Sequence, residues 1–285
     1  MNLDIIIHDS KILGVDYNSN GDVIYIDEEA KVFRNNKKIK IKGLNQITTP
    51  VIKITSEERF LLIDKDGGSG MDNCWIINNR GTIESSFFID CILEIVVTNE
   101  YVIASYGDSM FDNGSEFGDA QIVVFDYNGK VVFKYNSQEN KSIVNFLENK
   151  AFVKQDENTI LFMAYYDKEL GEGFSVIQLN LIDFSSQRLF FIDNKEIEGK
   201  EIYFTGFTLK NREWYFFDQN TDSWDSKEEG ACIIYKLDFG GSIKEYYRYS
   251  RLVVKPITGV FNQGFVFLSY PNLGALYSRI DFLRF

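Results

Sequence analysis

Apolar and polar residues alternate along most of this chain in short runs, and Gly, Asn, Asp or Ser ends each run. Short runs rich in β-branched and aromatic residues, bounded by turn residues, read as strands, and no sustained helical period stands out. The pattern is clearest between Tyr101 and Asn136. Tyr101 to Tyr106, Gln121 to Phe125 and Lys130 to Tyr135 read as three successive strands. The last two are joined by Asp126-Tyr127-Asn128-Gly129. Asn-Gly between β-branched runs predicts a hairpin whose two central residues both take positive φ.

The unit recurs. Cys74 to Ile83 and Cys232 to Ile243 have the same shape as residues 121–131, with Gly81 and Gly241 in the place of Gly129. An intermediate copy runs from Phe174 to Leu179 into Asp183-Phe184-Ser185-Ser186, and an early one turns at Arg34-Asn35-Asn36-Lys37-Lys38. Five hairpins at this spacing match the period of about 40–50 residues expected of four-stranded repeats. Each hairpin is preceded by two more strand signals, so each unit has strands a, b, c and d. The b strands are placed at 23–26, 60–63, 101–106, 160–164, 214–217 and 265–268. That makes six b strands for five complete hairpins. The sixth unit, near residues 252–285, lacks a d strand. Ile5 to Leu13 resembles Phe87 to Leu93, where a d strand runs into the next a strand. Residues 3–8 are therefore expected to pair with the last c strand and close a ring, which removes the exposed edges of an open array.

The repeat shape resembles the β-propeller superfamily over nearly the whole chain. The resemblance implies an all-β fold: a single domain, 1–285, built as a six-bladed β-propeller of four-stranded antiparallel blades, with five or seven blades as alternatives. It implies a rigid disc with a binding face and no particular activity. Motifs of specific families are missing. The only Trp-Asp pair, Trp224-Asp225, falls in a loop, no Gly-His exists, and no Ser-x-Asp-x-Gly box occurs.

Composition narrows the partners. Hydrophobic residues make up 45%, enough for a large core, and Phe and Tyr dominate the aromatics. Cys74, Cys91 and Cys232 are odd in number, and two share one place in the repeat, so they read as small hydrophobes rather than a bridge or metal cluster. No basic, apolar leader begins the chain, and no apolar run reaches the length of a membrane span. A reducing cytoplasm and a monomer are expected. A net charge of −12 argues against nucleic acid and anionic membranes, which need clustered Lys and Arg. The lysine-rich run 31–42 reads as a solvated outer edge.

The charge is localised. The b-to-c connections 64–73, 107–120, 166–173 and 218–231 hold fifteen acids and three bases. The rest of the chain balances at twenty-seven of each, so four loops carry the entire net charge. In a closed ring these loops emerge on one face, joined by Asp9, Asp90 and Asp193 at the d-to-a corners. Asp108, Asp112, Glu116, Asp119, Asp222, Asp225 and Glu228 are thus candidate contacts to a basic protein, with Phe111, Phe117 and Trp224 as aromatic anchors. The competing readings are solvation of long loops for the acids, and folding back to plug the ring for the aromatics.

Catalytic signals are sparse. The one histidine, His8, sits inside an expected strand, which excludes multi-histidine metal sites. The loop Asp64 to Asp72 superficially resembles a calcium loop but lacks its third early ligand and terminal Glu. No cofactor is expected, and calcium is the only ion this loop would suit. Gly67-x-x-Gly70 is a turn signal without a following helix to hold a phosphate. The leading expectation is a non-enzymatic protein-binding module, an inhibitor or immunity protein for a basic partner. The rival is a divalent-metal hydrolase or lactonase of the six-bladed type.

Overall fold

In this computed structural model the described residues are 2–44, 47–65, 71–107, 117, 120–135, 144–167, 169–193, 202, 204–219, 232–237, 242–249, 254–260, 263–269 and 278–284. None of them is helical; they form 24 strands in six four-stranded antiparallel sheets. The chain opens on β1 (Asn2–His8). The first blade follows as β2 (Ile12–Tyr17), β3 (Val23–Asp27), β4 (Val32–Arg34) and β5 (Lys37–Ile39). The second is β6 (Pro50–Ile54), β7 (Arg59–Asp64), β8 (Cys74–Asn78) and β9 (Ile83–Phe87). The third is β10 (Ile95–Val97), β11 (Tyr101–Ser105), β12 (Ile122–Asp126) and β13 (Val131–Tyr135). The fourth is β14 (Phe146–Lys154), β15 (Thr159–Asp167), β16 (Gly171–Asn180) and β17 (Ser186–Asp193). The fifth is β18 (Phe204–Lys210), β19 (Glu213–Gln219), β20 (Cys232–Leu237) and β21 (Ile243–Tyr249). The sixth is β22 (Val254–Val260), β23 (Gly264–Ser269) and β24 (Ser278–Arg284), completed by β1.

The architecture is a six-bladed β-propeller. All six expected b strands are present, as β3, β7, β11, β15, β19 and β23. Closure is as the sequence implied: β1 pairs antiparallel with β24 from Asn2↔Arg284 to His8↔Ser278. Three contacts reinforce the seam with the first blade. Gln263 Nε2 donates to Ser19 O at 2.7 Å. The Tyr17 and Phe282 rings lie 4.7 Å apart. His8 Nε2 lies 3.3 Å from Asp27 Oδ2, with its ring edge-on to Tyr25 and Phe33.

Six hydrophobic layers fill the molecule, one between each pair of neighbouring sheets. Successive residues of one b strand enter opposite layers. Phe60 and Leu62 pack towards the first blade, and Leu61 and Ile63 towards the third. Both faces are apolar, so the b strands read as continuous hydrophobic runs. Phe162, Phe207, Phe216 and Phe267 are fully buried in these layers, each burial stabilising by about 2–3 kcal/mol.

The hairpin turns are of two kinds. Asn35 and Asn36 take φ of 49° and 63°, both positive as a two-residue turn requires. The expectation for Asn128-Gly129 was wrong in detail: only Gly129 is left-handed, at φ 81°. Gly129 N donates to Asp126 O, and the Asp126 carboxylate accepts from the Asn128 and Lys130 amides. That side chain holds a three-residue loop with a bulge, so Asn128 need not turn left-handed. The equivalent turn at Gly241 lies outside the described residues.

The antiparallel order places the a-to-b and c-to-d connections on one face of the disc. The b-to-c and d-to-a connections lie on the other.

Candidate binding face

Four b-to-c connections leave and re-enter the sheets on the second face, at Asp64/Cys74, Ser105/Ile122, Asp167/Gly171 and Gln219/Cys232. Four acids assigned to these loops by sequence are strand residues instead: Asp64, Asp167, Glu172 and Asp218. Asp64 is buried at the end of β7. It accepts from Thr49 N at 2.9 Å and from Thr48 Oγ1 at 3.0 Å, and so ties down the corner before β6. Asp218 is buried within β19. Eleven acids against three bases remain in the four connections. Of the corner acids, Asp9 is exposed, and Asp90 and Asp193 are partly so.

Phe117 is the one proposed contact among the described residues, and it is no anchor. It is 4% exposed and packs edge-on to Phe125 at 5.2 Å and beside Tyr106 at 5.8 Å. Burying a phenyl ring in the layer between the second and third blades outweighs leaving it in water. Asp108, Phe111, Asp112, Glu116, Asp119, Asp222, Trp224, Asp225 and Glu228 lie outside the described residues, as does the 66–70 stretch of the calcium-like loop.

The fourth blade contributes residues that sequence reasoning passed over. Pairing of β15 with β16 continues to Asp167↔Gly171, whereas β11 and β12 part after Ser105↔Ile122. Counted from their a-to-b turns, β15 runs about three or four residues farther, roughly 10 Å at the rise of a strand. Near the tip, Tyr166 is the extra residue of a bulge between Tyr165 and Asp167, with φ of 54°. A left-handed tyrosine costs about 1–2 kcal/mol relative to glycine or asparagine. Its side chain is 37% exposed, and Leu170 across the turn is 49% exposed. Glu169 and Glu172 are exposed beside them, and Arg188 NH2 reaches Glu169 at 3.2 Å. On the second blade Met71 is 70% exposed, and Asp72 beside it accepts a hydrogen bond from Ser86. A bulge and an exposed tip are not visible in alternation alone; only the pairing register reveals them.

The opposite face opens into the ring centre. A cavity of ≈ 800 Å³ is lined by inner-strand residues including Asp16, Lys53, Glu94, Lys150, Thr205 and Gly259. Charges there are largely paired. Asp16 accepts from Ile54 N at 2.7 Å and lies 3.5 Å from Lys53 Nζ. Lys150 Nζ lies 2.5 Å from Glu148 Oε2 and over the Tyr165 ring. Among the described residues, no three His, Cys, Asp or Glu side chains are grouped to hold a metal ion. The Cys74 thiol is buried, and burial pushes its pKa well up, so it is not poised as a nucleophile. None of the described residues forms a helix long and apolar enough to cross a membrane.

Comparison with solved structures agrees with this architecture. A putative oxidoreductase (glucose dehydrogenase) from Thermus thermophilus superposes with a TM-score of 0.53 at 6% identity, covering 99% of both chains. The acylaminoacyl peptidase of Pyrococcus horikoshii superposes at 0.50 with 11% identity; the match covers 91% of this chain and 42% of the peptidase. The shared feature is the propeller. At these identities the likeness extends to the fold alone. No protein-family model matches the chain, and no curated protein matches its sequence.

Proposed function

We propose that this propeller is a non-enzymatic binding module whose acidic b-to-c face takes a basic protein, as an inhibitor or immunity protein takes a cationic toxin. The observation that carries the reading is the placement of strand ends: the four connections that hold most of the chain's net charge all open on one face. A surface of one sign steers a partner of the other. Asp108, Asp112, Glu116 and Asp119 on one connection, and Asp222, Asp225 and Glu228 on another, supply the charge, with Phe111 and Trp224 as apolar contacts. The module acts as a monomer in the cytoplasm and needs no cofactor. The rival, a divalent-metal hydrolase, needs ring-centre carboxylates available to a cation. Asp16, which lines the ring centre, is instead engaged by Lys53 and by the Ile54 amide.

Affinity capture at low salt from cells of the source organism tests the reading. A basic protein should be retained by the natural chain. It should be lost from a variant carrying Asp112→Lys, Glu116→Lys, Asp222→Lys and Asp225→Lys. Retention of that protein by both would refute the assignment of the face.

A further inference from the structure

The tip of the β15–β16 hairpin combines features that folding alone does not favour. An aromatic ring is exposed, its backbone is left-handed, and it sits at the far end of the tallest described hairpin on the acidic face. Gly or Asn would make the same turn without strain. A bulge re-aims the side chain it carries, here towards solvent. Leu170 adds a second apolar group across the turn, and Glu169 and Glu172 flank the pair.

The sequence repeats the motif. Each of the four acidic connections contains a large apolar residue followed directly by Asp: Met71-Asp72, Phe111-Asp112, Tyr166-Asp167 and Trp224-Asp225. The first and third fall among the described residues, and in both the apolar side chain is exposed. Interfaces place apolar anchors inside a polar rim in just this way.

We infer that Tyr166 and Leu170 form an apolar anchor that seats in a hydrophobic recess on the basic partner. This rests on the binding reading above and adds to it. The partner must present apolar surface among its cationic side chains, not charge alone. Charge complementarity selects that occupant: Asp167, Glu169 and Glu172 outnumber Lys168 and the Arg188 that pairs with Glu169, so the chain around the anchor is net acidic and disfavours an acidic partner.

Two short synthetic peptides of equal positive charge separate the ideas, one alternating Lys and Leu, the other Lys and Ser. Binding is read by fluorescence anisotropy at low salt. The acidic face predicts that both bind. The anchor predicts that the Lys-Leu peptide binds about tenfold more tightly. It further predicts that Tyr166→Asn with Leu170→Ser abolishes that preference and leaves the Lys-Ser peptide unaffected. Asn suits the left-handed position, so the variant should melt no lower than the natural chain. Equal binding of the two peptides, or a preference that survives the substitutions, overturns the anchor and spares the acidic face. Failure of both peptides to bind overturns both.

Discussion

Ile6 of the first strand lies directly opposite Ile280 of the last, and both pack in the layer between the sixth and first blades. Nearly the whole sequence separates two residues that share one ladder. Ring closure therefore couples the chain ends, and no blade can be lost locally without opening an edge.

Removing residues 1–8 should lower the melting temperature of the whole domain. It should also cause association at high concentration, because β24 would become an exposed edge. Thermal melting and sedimentation check this. A truncated chain that melts like the intact one and stays monomeric would contradict the closure mechanism.

The inner strands are packed to backbone contact. A Cβ on Gly259 would fall 1.8 Å from the Phe207 carbonyl oxygen, and Thr208 Oγ1 donates to Val260 O across the same gap at 2.9 Å. Gly259→Ala should destabilise by about 1–3 kcal/mol through overpacking, read from the denaturant midpoint. At Gly206, also on an inner strand, the nearest atom to an added Cβ is Phe217 Cβ at 4.0 Å. Gly206→Ala should stay within about 0.5 kcal/mol of the natural chain.

Asp22, paired with Arg34, contributes to the acid limb of stability. Arg34 is buried and joins three groups: Asp22 Oδ2, Ser56 O and Asn79 Oδ1, each at 2.9 Å. It thus links the first blade to the second. Hydrogen bonding from Asn35, then the Arg34 guanidinium, holds the Asp22 carboxyl below its usual value against an opposing effect of burial. A depressed carboxylate contributes stability that is complete above its unfolded pKa of about 4 and is lost as pH falls through the lower folded value. Asp22→Asn should therefore reduce stability at neutral pH and flatten its decline below about pH 4. An unchanged acid limb in the variant would remove Asp22 from the account.

The strand pattern was legible because burial on both faces makes inner strands such as β7 and β12 short continuous apolar runs, while outer strands such as β9 and β13 alternate. Closure was legible because the chain begins with a fragment matching the d-to-a junction of later repeats, from Ile5 to Leu13. What failed was local. Asn128 was expected to be left-handed, yet the Asp126 side chain caps the turn in another way. Phe117 looked like a loop aromatic and is a core residue. Asp64 and Asp218 were counted with the loop charge and are buried in strands. The Asn128 turn is set by a local side-chain contact, whereas Phe117 and Asp64 are fixed by contacts distant in sequence, of which spacing carries no record. Tyr166 was assigned to the 166–173 connection and not singled out as an anchor; it lies in β15, where a bulge puts it in water.

The central claim is that the acidic face recruits a cation by long-range attraction. It is tested most directly by the association rate of the captured basic partner as salt rises from about 0.01 M to 0.15 M. Over that range the screening length falls from about 30 Å to about 8 Å. The natural chain should associate markedly more slowly at the higher salt. The quadruple variant at Asp112, Glu116, Asp222 and Asp225 should start slower and show a flattened dependence, with its melting temperature unchanged. Association indifferent both to salt and to the four reversals would mean that these loops only keep the protein solvated.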